Sequence, residues 1–560
     1  MRIKLAALAF LTLVLAASTA EPCTNFLVTR GASQDGSTMI TYAADSHSLY
    51  GELYFRPAAK YPAGTMLRIY EWDTGTYLGE IPQAEETYSV VGNINQFQVA
   101  IGETTYGGRK ELINPKGIID YGSLMYIALQ RSKTAREAIN VMIDLVDKHG
   151  YYSSGEAFSI SDPKEVWFMV IIGKGEGSKG VNWVAQRVPD GYVSAHANYS
   201  RVRQFPFNDP ENCMYNKDIV DFARAKGWFD GPDKEFSYSD AFAPLTWAQA
   251  RSCEARVYSF FRAVAPSANI KANFVDGTIE DVRLPLWIKP DRKLGARDLM
   301  DLMRDHFEGT PIDMHKGVGA GPYVMPYRWR PMRWEYKGQM YVHDRSTATQ
   351  QTGFSFVAQS RGWLPDPVGG ILWFGVDDTA STVYVPMYCG ITAAPHPFAV
   401  GNGNFSTFSW EAAFWVFNVV SNWAYTRYSD ISKEIRIAQN ELEGLFTASQ
   451  PEVDAMATAL YKQAPGLARQ YLTDYSASRA NQTIAKWQGL AVSLFMKYMD
   501  GNVRDEKGIP QHPAYDEQWY KAIVEQEPEL YKLRKFDWEI QEEKRLEEEK
   551  KKKESEQTPR

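Results

Sequence analysis

The chain has 560 residues, room for roughly two to four domains and a large core. Its net charge is −7 and its sequence pI near 5.8, with Lys and Arg spread along its length, which excludes a clustered nucleic-acid surface. Past the N-terminal leader, no run of about 18 apolar residues is available to span a membrane.

Met1-Arg2-Ile3-Lys4 is a short basic start, and Leu5 to Ala17 is an apolar run too short for a stable span. Ser18-Thr19-Ala20 supplies the small residues of a signal-peptidase site, so residues 1–20 read as an export signal and residues 21–22 as a short propeptide. Removal of Glu21 and Pro22 would leave Cys23 with both a thiol and a free α-amino group. An unperturbed thiol titrates at about 8.5 and needs a base to become a thiolate. An α-amine, with a pKa of about 7.7–8.0, is partly neutral near pH 7 and can take that proton. Nucleophile and base are then one residue, and no histidine is required. Two other readings stand beside this one: Cys23 as a buried strand residue, or as a lipid-attachment site. Pro22 directly before it argues against lipidation, which wants a small residue there.

Residues 24–30 and 37–42 read as strands joined through Asp35-Gly36, a strong hairpin signal. The second strand returns toward the end that carries Cys23, which brings Asp45 near it; a plain turn cap is the other reading of Asp45. Residues 50–87, rich in Gly, Pro and aromatics, read as loops and short strands. Strands at 88–91 and 98–101 follow, joined by a turn with Asn93 and Asn95. Both asparagines are ordinary turn residues and also suitable oxyanion donors.

Residues 118–149 hold two helices, the second opened by the capping box Thr134-Ala135-Arg136-Glu137 and closed by Gly150. Strands at 158–160 and 166–172 form a hairpin. The glycine-rich loop 173–180 leads into a strand rather than a helix, so it reads as a hairpin loop and not a phosphate cradle. Helical stretches are predicted around 212–227 and 297–306, strands at 354–358, 370–374 and 382–386, and helices from Trp410 to about Tyr498. Besides Cys23 there are Cys213, Cys253 and Cys389; an exported protein could pair two of these three, Cys213 with Cys253 being the nearer pair in sequence, and the odd count leaves at least one thiol free. The eight histidines show no metal-ligand spacing, so no metal and no cofactor are expected.

The blocks "CTNFLVTRGASQDGSTMI", "QRSKTAREAI", "ISDPKEVWFMV", "WVAQRVPDGYVSAHAN", "RDHFEGT" and "TASTVYVPMYCGI", in that order, resemble the cysteine N-terminal-nucleophile dipeptidases, the family of bacterial dipeptidase A to which the secernins are related. The resemblance implies an α+β fold, a four-layer αββα N-terminal-nucleophile hydrolase sandwich. It places Cys23 on the nucleophile and Asp45 on the acidic residue that organises its amine. Asn95 falls on the oxyanion asparagine, and Asn198 on a second asparagine that holds the amine or substrate. One departure stands out: such enzymes commonly carry an arginine where this chain has Tyr42, so either Arg201 or Arg203 replaces that cation or the activity is altered.

The expected organisation is therefore a catalytic domain over 23–405, a helical region over 406–535 and a charged tail over 536–560, as a solvated helix or disordered. The expected activity is exported, periplasmic or secreted, hydrolysis of dipeptides or short peptides through a thioester. A non-peptide amidase and a non-catalytic surface protein are the alternatives. Expected partners are a dipeptide or short-peptide substrate, with no nucleic acid and no stable membrane insertion; a homo-oligomer is left open.

Overall fold

The computed structural model describes residues 23–271, 275, 283–329 and 332–556; the expected signal and propeptide, residues 1–22, lie outside the described residues. Strands β1 (Asn25–Val28) and β2 (Thr38–Asp45) form the predicted antiparallel hairpin, with Leu27 opposite Ile40. Gly36, at φ +80°, supplies the left-handed residue of the turn. The second long strand pair combines β3 (Ala100–Gly107) with β4 (Gly155–Ser161), and helices α1 (Tyr121–Arg131) and α2 (Ala135–His149) lie between them in sequence. The Thr134 side chain accepts from Glu137 N at 3.1 Å and caps α2. Glu137 reaches back to Lys133 N rather than Thr134 N, so the capping box is only half formed.

Strands β5 (Val166–Gly173) and β6 (Val181–Arg187) complete a meander, with residues 174–180 as the hairpin loop between them. After β7 (Val193–His196) the predicted helix at 212–227 resolves into a strand, Cys213–Tyr215, and a shorter helix, Ile219–Ala225. Helix α3 (Ala255–Val264) follows, then β8 (Thr352–Ser360), β9 (Gly370–Val376) and β10 (Val385–Tyr388). The chain is α+β. One antiparallel sheet runs Trp287–Ile288, β7, β1, β2, β8, β9, β10; the other runs Cys213–Tyr215, β6, β5, β4, β3, Ile94–Asn95, Val90–Val91, Phe55–Arg56.

The two large sheets meet where β1 and β2 pack against β3 and β4. Gly102 sets that approach: a Cβ there would sit 2.7 Å from Asn25 Nδ2 and 3.2 Å from Tyr42 Cβ. Helices α1 and α2 cover the far side of the eight-stranded sheet through Leu124, Ile127, Ala138, Ile139 and Met142, all buried. Helices α4 (Ala413–Thr426), α5 (Tyr428–Gln463) and α6 (Pro465–Tyr498) cover the seven-stranded sheet. Buried charge ties them down: Glu443 on α5 accepts from Arg304 Nη2 at 2.5 Å and from Tyr384 N at 3.0 Å. Residues Asp537–Glu556 form an exposed helix. No helix among the described residues is long and apolar enough to cross a membrane.

Candidate active site

Cys23 stands at the head of β1, where Thr24 bridges to Ala43 of β2. Its backbone N–H donates to Asn198 Oδ1 at 2.7 Å. Asn198 follows β7 in a left-handed conformation, φ +55°, which asparagine tolerates better than most residues. Its Nδ2 donates to Thr105 O at 2.8 Å, so the amide is pinned between β3 and the nucleophile strand. Arg256 on α3 reaches the same place. Its Nη1 donates to Cys23 O at 2.7 Å and Thr24 Oγ1 at 2.8 Å, and its Nη2 to Asn198 Oδ1 at 3.0 Å. Burial, then the nearby Arg345 charge, pushes the Arg256 guanidinium down to about 10, which leaves it charged at neutral pH.

Asp45 ends β2 beside the thiol. Its Oδ2 accepts from Arg345 Nη2 at 2.5 Å and its Oδ1 from Thr352 Oγ1 at 2.6 Å. Burial raises its carboxyl to about 6 against the opposing pull of Arg345 and Thr352. The thiol itself is held well above its ordinary value, first by burial, then by the charges of Glu103 and Asp45; the Asp45 backbone N–H and Arg345 oppose them. Cys23 Sγ lies 3.6 Å from Glu103 Oε1 and 3.9 Å from the Tyr42 hydroxyl, which itself donates to Glu103 Oε1. The thiol is thus protonated at neutral pH and depends on a base from elsewhere.

Cys23 opens onto a cavity of about 690 Å³, bordered also by Tyr42, Asp45, Asn93 and Glu103. That is within the usual range for a small-molecule site. No histidine lines it. His196, two residues before Asn198, is buried between Thr104 Oγ1 and Ser159 Oγ, both at 2.7 Å, and burial keeps its ring neutral.

The structure brings Cys23, Asp45 and Asn198 together and leaves Asn95 out of the group. The Asn95 Nδ2 donates to Leu129 O and Ser132 O, both at 2.8 Å, and its Oδ1 accepts from Phe97 N and Val99 N. Its amide fastens the end of α1 to the turn. Asn93, the other asparagine of that turn, is the one that borders the cavity. Neither Arg201 nor Arg203 stands in for the missing arginine. Arg201 pairs with buried Glu254 at 2.7 Å and Arg203 is exposed. The cations near the thiol are Arg256 and Arg345, which sequence reasoning missed along with Glu103. The expected Cys213–Cys253 disulfide is absent: both are thiols, and Cys253 Sγ donates to Asn198 O at 3.4 Å. Of the metal-binding residue types, His306, Glu308 and His315 cluster, but away from this cavity. The His306 ring is engaged by Glu308 at 3.3 Å and Tyr327 at 3.0 Å.

The family model for peptidase family C69 matches residues 22–441, so its first matched residues frame Cys23. The chain belongs to peptidase family C69. Among curated proteins, this C69 chain is 25% identical over 387 residues to a probable dipeptidase of Latilactobacillus sakei, covering 65% of this chain and 74% of that protein. It is 23% identical over 406 residues to a probable dipeptidase of Salmonella dublin, covering 69% and 84%. With probable dipeptidase B of Streptococcus pyogenes serotype M1 it shares 21% identity over 516 residues, 88% of this chain and 96% of that protein.

Proposed function

We propose that this C69 peptidase is an exported dipeptidase whose nucleophile is Cys23, freed as the first residue by loss of residues 1–22. The packing of helices, sheet, sheet and helices supports a four-layer N-terminal-nucleophile sandwich. The observation that carries the reading is the 2.7 Å bond from the Cys23 backbone nitrogen to Asn198 Oδ1, at a thiol that borders a cavity with no histidine. Once that nitrogen is an amine, it is held beside the thiol it must deprotonate.

The amine takes the thiol proton, and Sγ attacks the peptide carbonyl of the substrate. Negative charge develops on the carbonyl oxygen, and Asn93, on the cavity wall, offers an amide N–H to it in place of Asn95. As the tetrahedral species collapses, the Cys23 ammonium returns the proton to the leaving amine and a thioester remains. Water then attacks the thioester, gives up a proton to the Cys23 amine, and releases the acid and the thiol. Asn198 and Arg256 orient the amine throughout, and the Asp45–Arg345 pair fixes the β2 end whose N–H meets Sγ. Arg56, Arg109 and Lys110 border the same cavity and offer positive charge to a substrate carboxylate.

The test is hydrolysis of a panel of dipeptides by the wild-type chain and by Cys23→Ala. The reading expects cleavage by the wild type and loss of at least about 10⁴-fold in the variant, the scale of removing a covalent nucleophile. Full activity in Cys23→Ala would overturn it.

A further inference from the structure

Glu103 is not needed by the mechanism above, and on its own it opposes that mechanism. It is buried on β3, borders the cavity and sits with Oε1 3.6 Å from the nucleophilic sulfur. An anion at that distance disfavours the thiolate the reaction requires. Its partners include neutral donors: the thiol, the Tyr42 phenol, and Glu156 on β4. The Glu156 carboxyl is pushed well above the carboxylate range by burial, then by the Glu103 charge, and it hydrogen-bonds Glu103. Buried side by side, the two carboxyls titrate as one pair rather than as separate acids. Glu156 also borders the cavity and accepts from Thr105 Oγ1 at 2.8 Å.

A cation that belongs to the substrate resolves the conflict. In a peptide with a free N-terminus, the α-nitrogen lies about 2.5 Å from the first carbonyl carbon, from standard bond lengths across one Cα. A near-attack sulfur sits about 3–3.5 Å from that carbon. A charge-assisted N–H···O contact is about 2.7–2.9 Å. Those three spans close on the observed 3.6 Å between Sγ and Oε1. The ammonium then takes the position on Oε1 that the thiol proton leaves when Cys23 is deprotonated.

We propose that Glu103 anchors the α-ammonium group of the substrate's first residue and makes the enzyme read a free N-terminus. This rests on the dipeptidase reading above. Substrate binding then also lowers the electrostatic barrier to the thiolate, so a substrate without the charge loses in turnover as well as in binding.

The experiment compares kcat/KM for Ala-Ala, N-acetyl-Ala-Ala and the des-amino isostere propionyl-Ala in the wild type and in Glu103→Gln. Propionyl-Ala removes the charge without adding bulk. The wild type should prefer Ala-Ala over both by at least about 100-fold. In Glu103→Gln that preference should fall below about 10-fold, through loss on Ala-Ala together with an unchanged or raised rate on the two uncharged substrates. In the same variant the Cys23 alkylation rate with iodoacetamide should reach its plateau at lower pH than in the wild type, a shift that simple loosening of the site would not produce. Equal loss on all three substrates would make Glu103 a base or a structural group and overturn the proposal. So would wild-type hydrolysis of propionyl-Ala at the Ala-Ala rate, a result that needs no folded variant. Failure of the dipeptidase reading looks different: the wild type cleaves none of the three, and this proposal falls with it.

Discussion

Asn198→Asp separates the base from the scaffold. Asn198 Oδ1 accepts both from the Cys23 nitrogen at 2.7 Å and from Arg256 Nη2 at 3.0 Å, and a carboxylate oxygen accepts equally well there. The side-chain volume is kept, the Nδ2 donation to Thr105 O is lost, and a negative charge now lies beside the amine. An opposite charge at such range raises the pKa of a cationic group by about 1–3 units, and Arg256 on the other side holds the shift toward the low end. Starting from the 7.7–8.0 of an α-amine, the neutral fraction at pH 7 falls about 10-fold per unit, so kcat/KM at pH 7 falls about 10- to 1000-fold. The part of the loss that comes from protonation should be recovered on the alkaline side, while the part that comes from the missing bond to Thr105 O should persist at every pH. The assay is a pH profile of kcat/KM on a dipeptide, with a thermal melt at each pH to show that the fold persists. An acid limb that stays where the wild type has it, whatever the absolute rate, would refute the assignment of the amine as base.

Asn93→Ala should cut kcat by about 100- to 1000-fold, as expected for an oxyanion donor, and should cost only about 1 kcal/mol of stability for the lost bond from its Nδ2 to Ile101 O. Asn95→Ala should do the reverse: four amide bonds are lost, stability drops by about 3 kcal/mol, and kcat per folded molecule stays near wild type. Asp45 is raised to about 6 and its charge disfavours the Cys23 thiolate, so the pH profile of thiol alkylation should bend near pH 6, and Asp45→Asn should lack that bend and alkylate faster above it. Its folded pKa lies above the unfolded value, so its contribution to stability is full below about pH 4 and is lost as pH rises through 6; denaturant melts of Asp45→Asn should lack that slope. Glu443→Ala removes the buried partner of Arg304, leaves it only the half-exposed Asp301 carboxylate at 3.1 Å, and should cost about 3–5 kcal/mol, measured by denaturant titration.

The part of the site that lies close in sequence was legible in it. Cys23 and Asp45 sit on one hairpin whose Asp-Gly turn fixes the pairing, so local rules placed them side by side. Arg256 and Arg345 were not, because they meet Cys23 and Asp45 across 233 and 300 residues with no motif around them. Both asparagines of the 92–96 turn were visible as candidates. Which one faces the cavity depends on the end of α1, where Asn95 caps the Leu129 and Ser132 carbonyls, and no local pattern encodes that. Glu103 reads as one polar residue in a buried strand; its meaning appears only when Gly102 lets the sheets close and the sulfur arrives 3.6 Å away. The cysteine count suggested a disulfide, but Cys213 and Cys253 are set in different packing environments, one in a sheet edge strand and one against the Asn198 carbonyl.

Intact mass and N-terminal sequencing of the active, purified enzyme probe the origin of the base most directly. Turnover should track the fraction of molecules that begin with the cysteine itself, and chains that retain proline ahead of it should be inert. A preparation that hydrolyses dipeptides at full rate while every molecule still carries that proline would contradict the account.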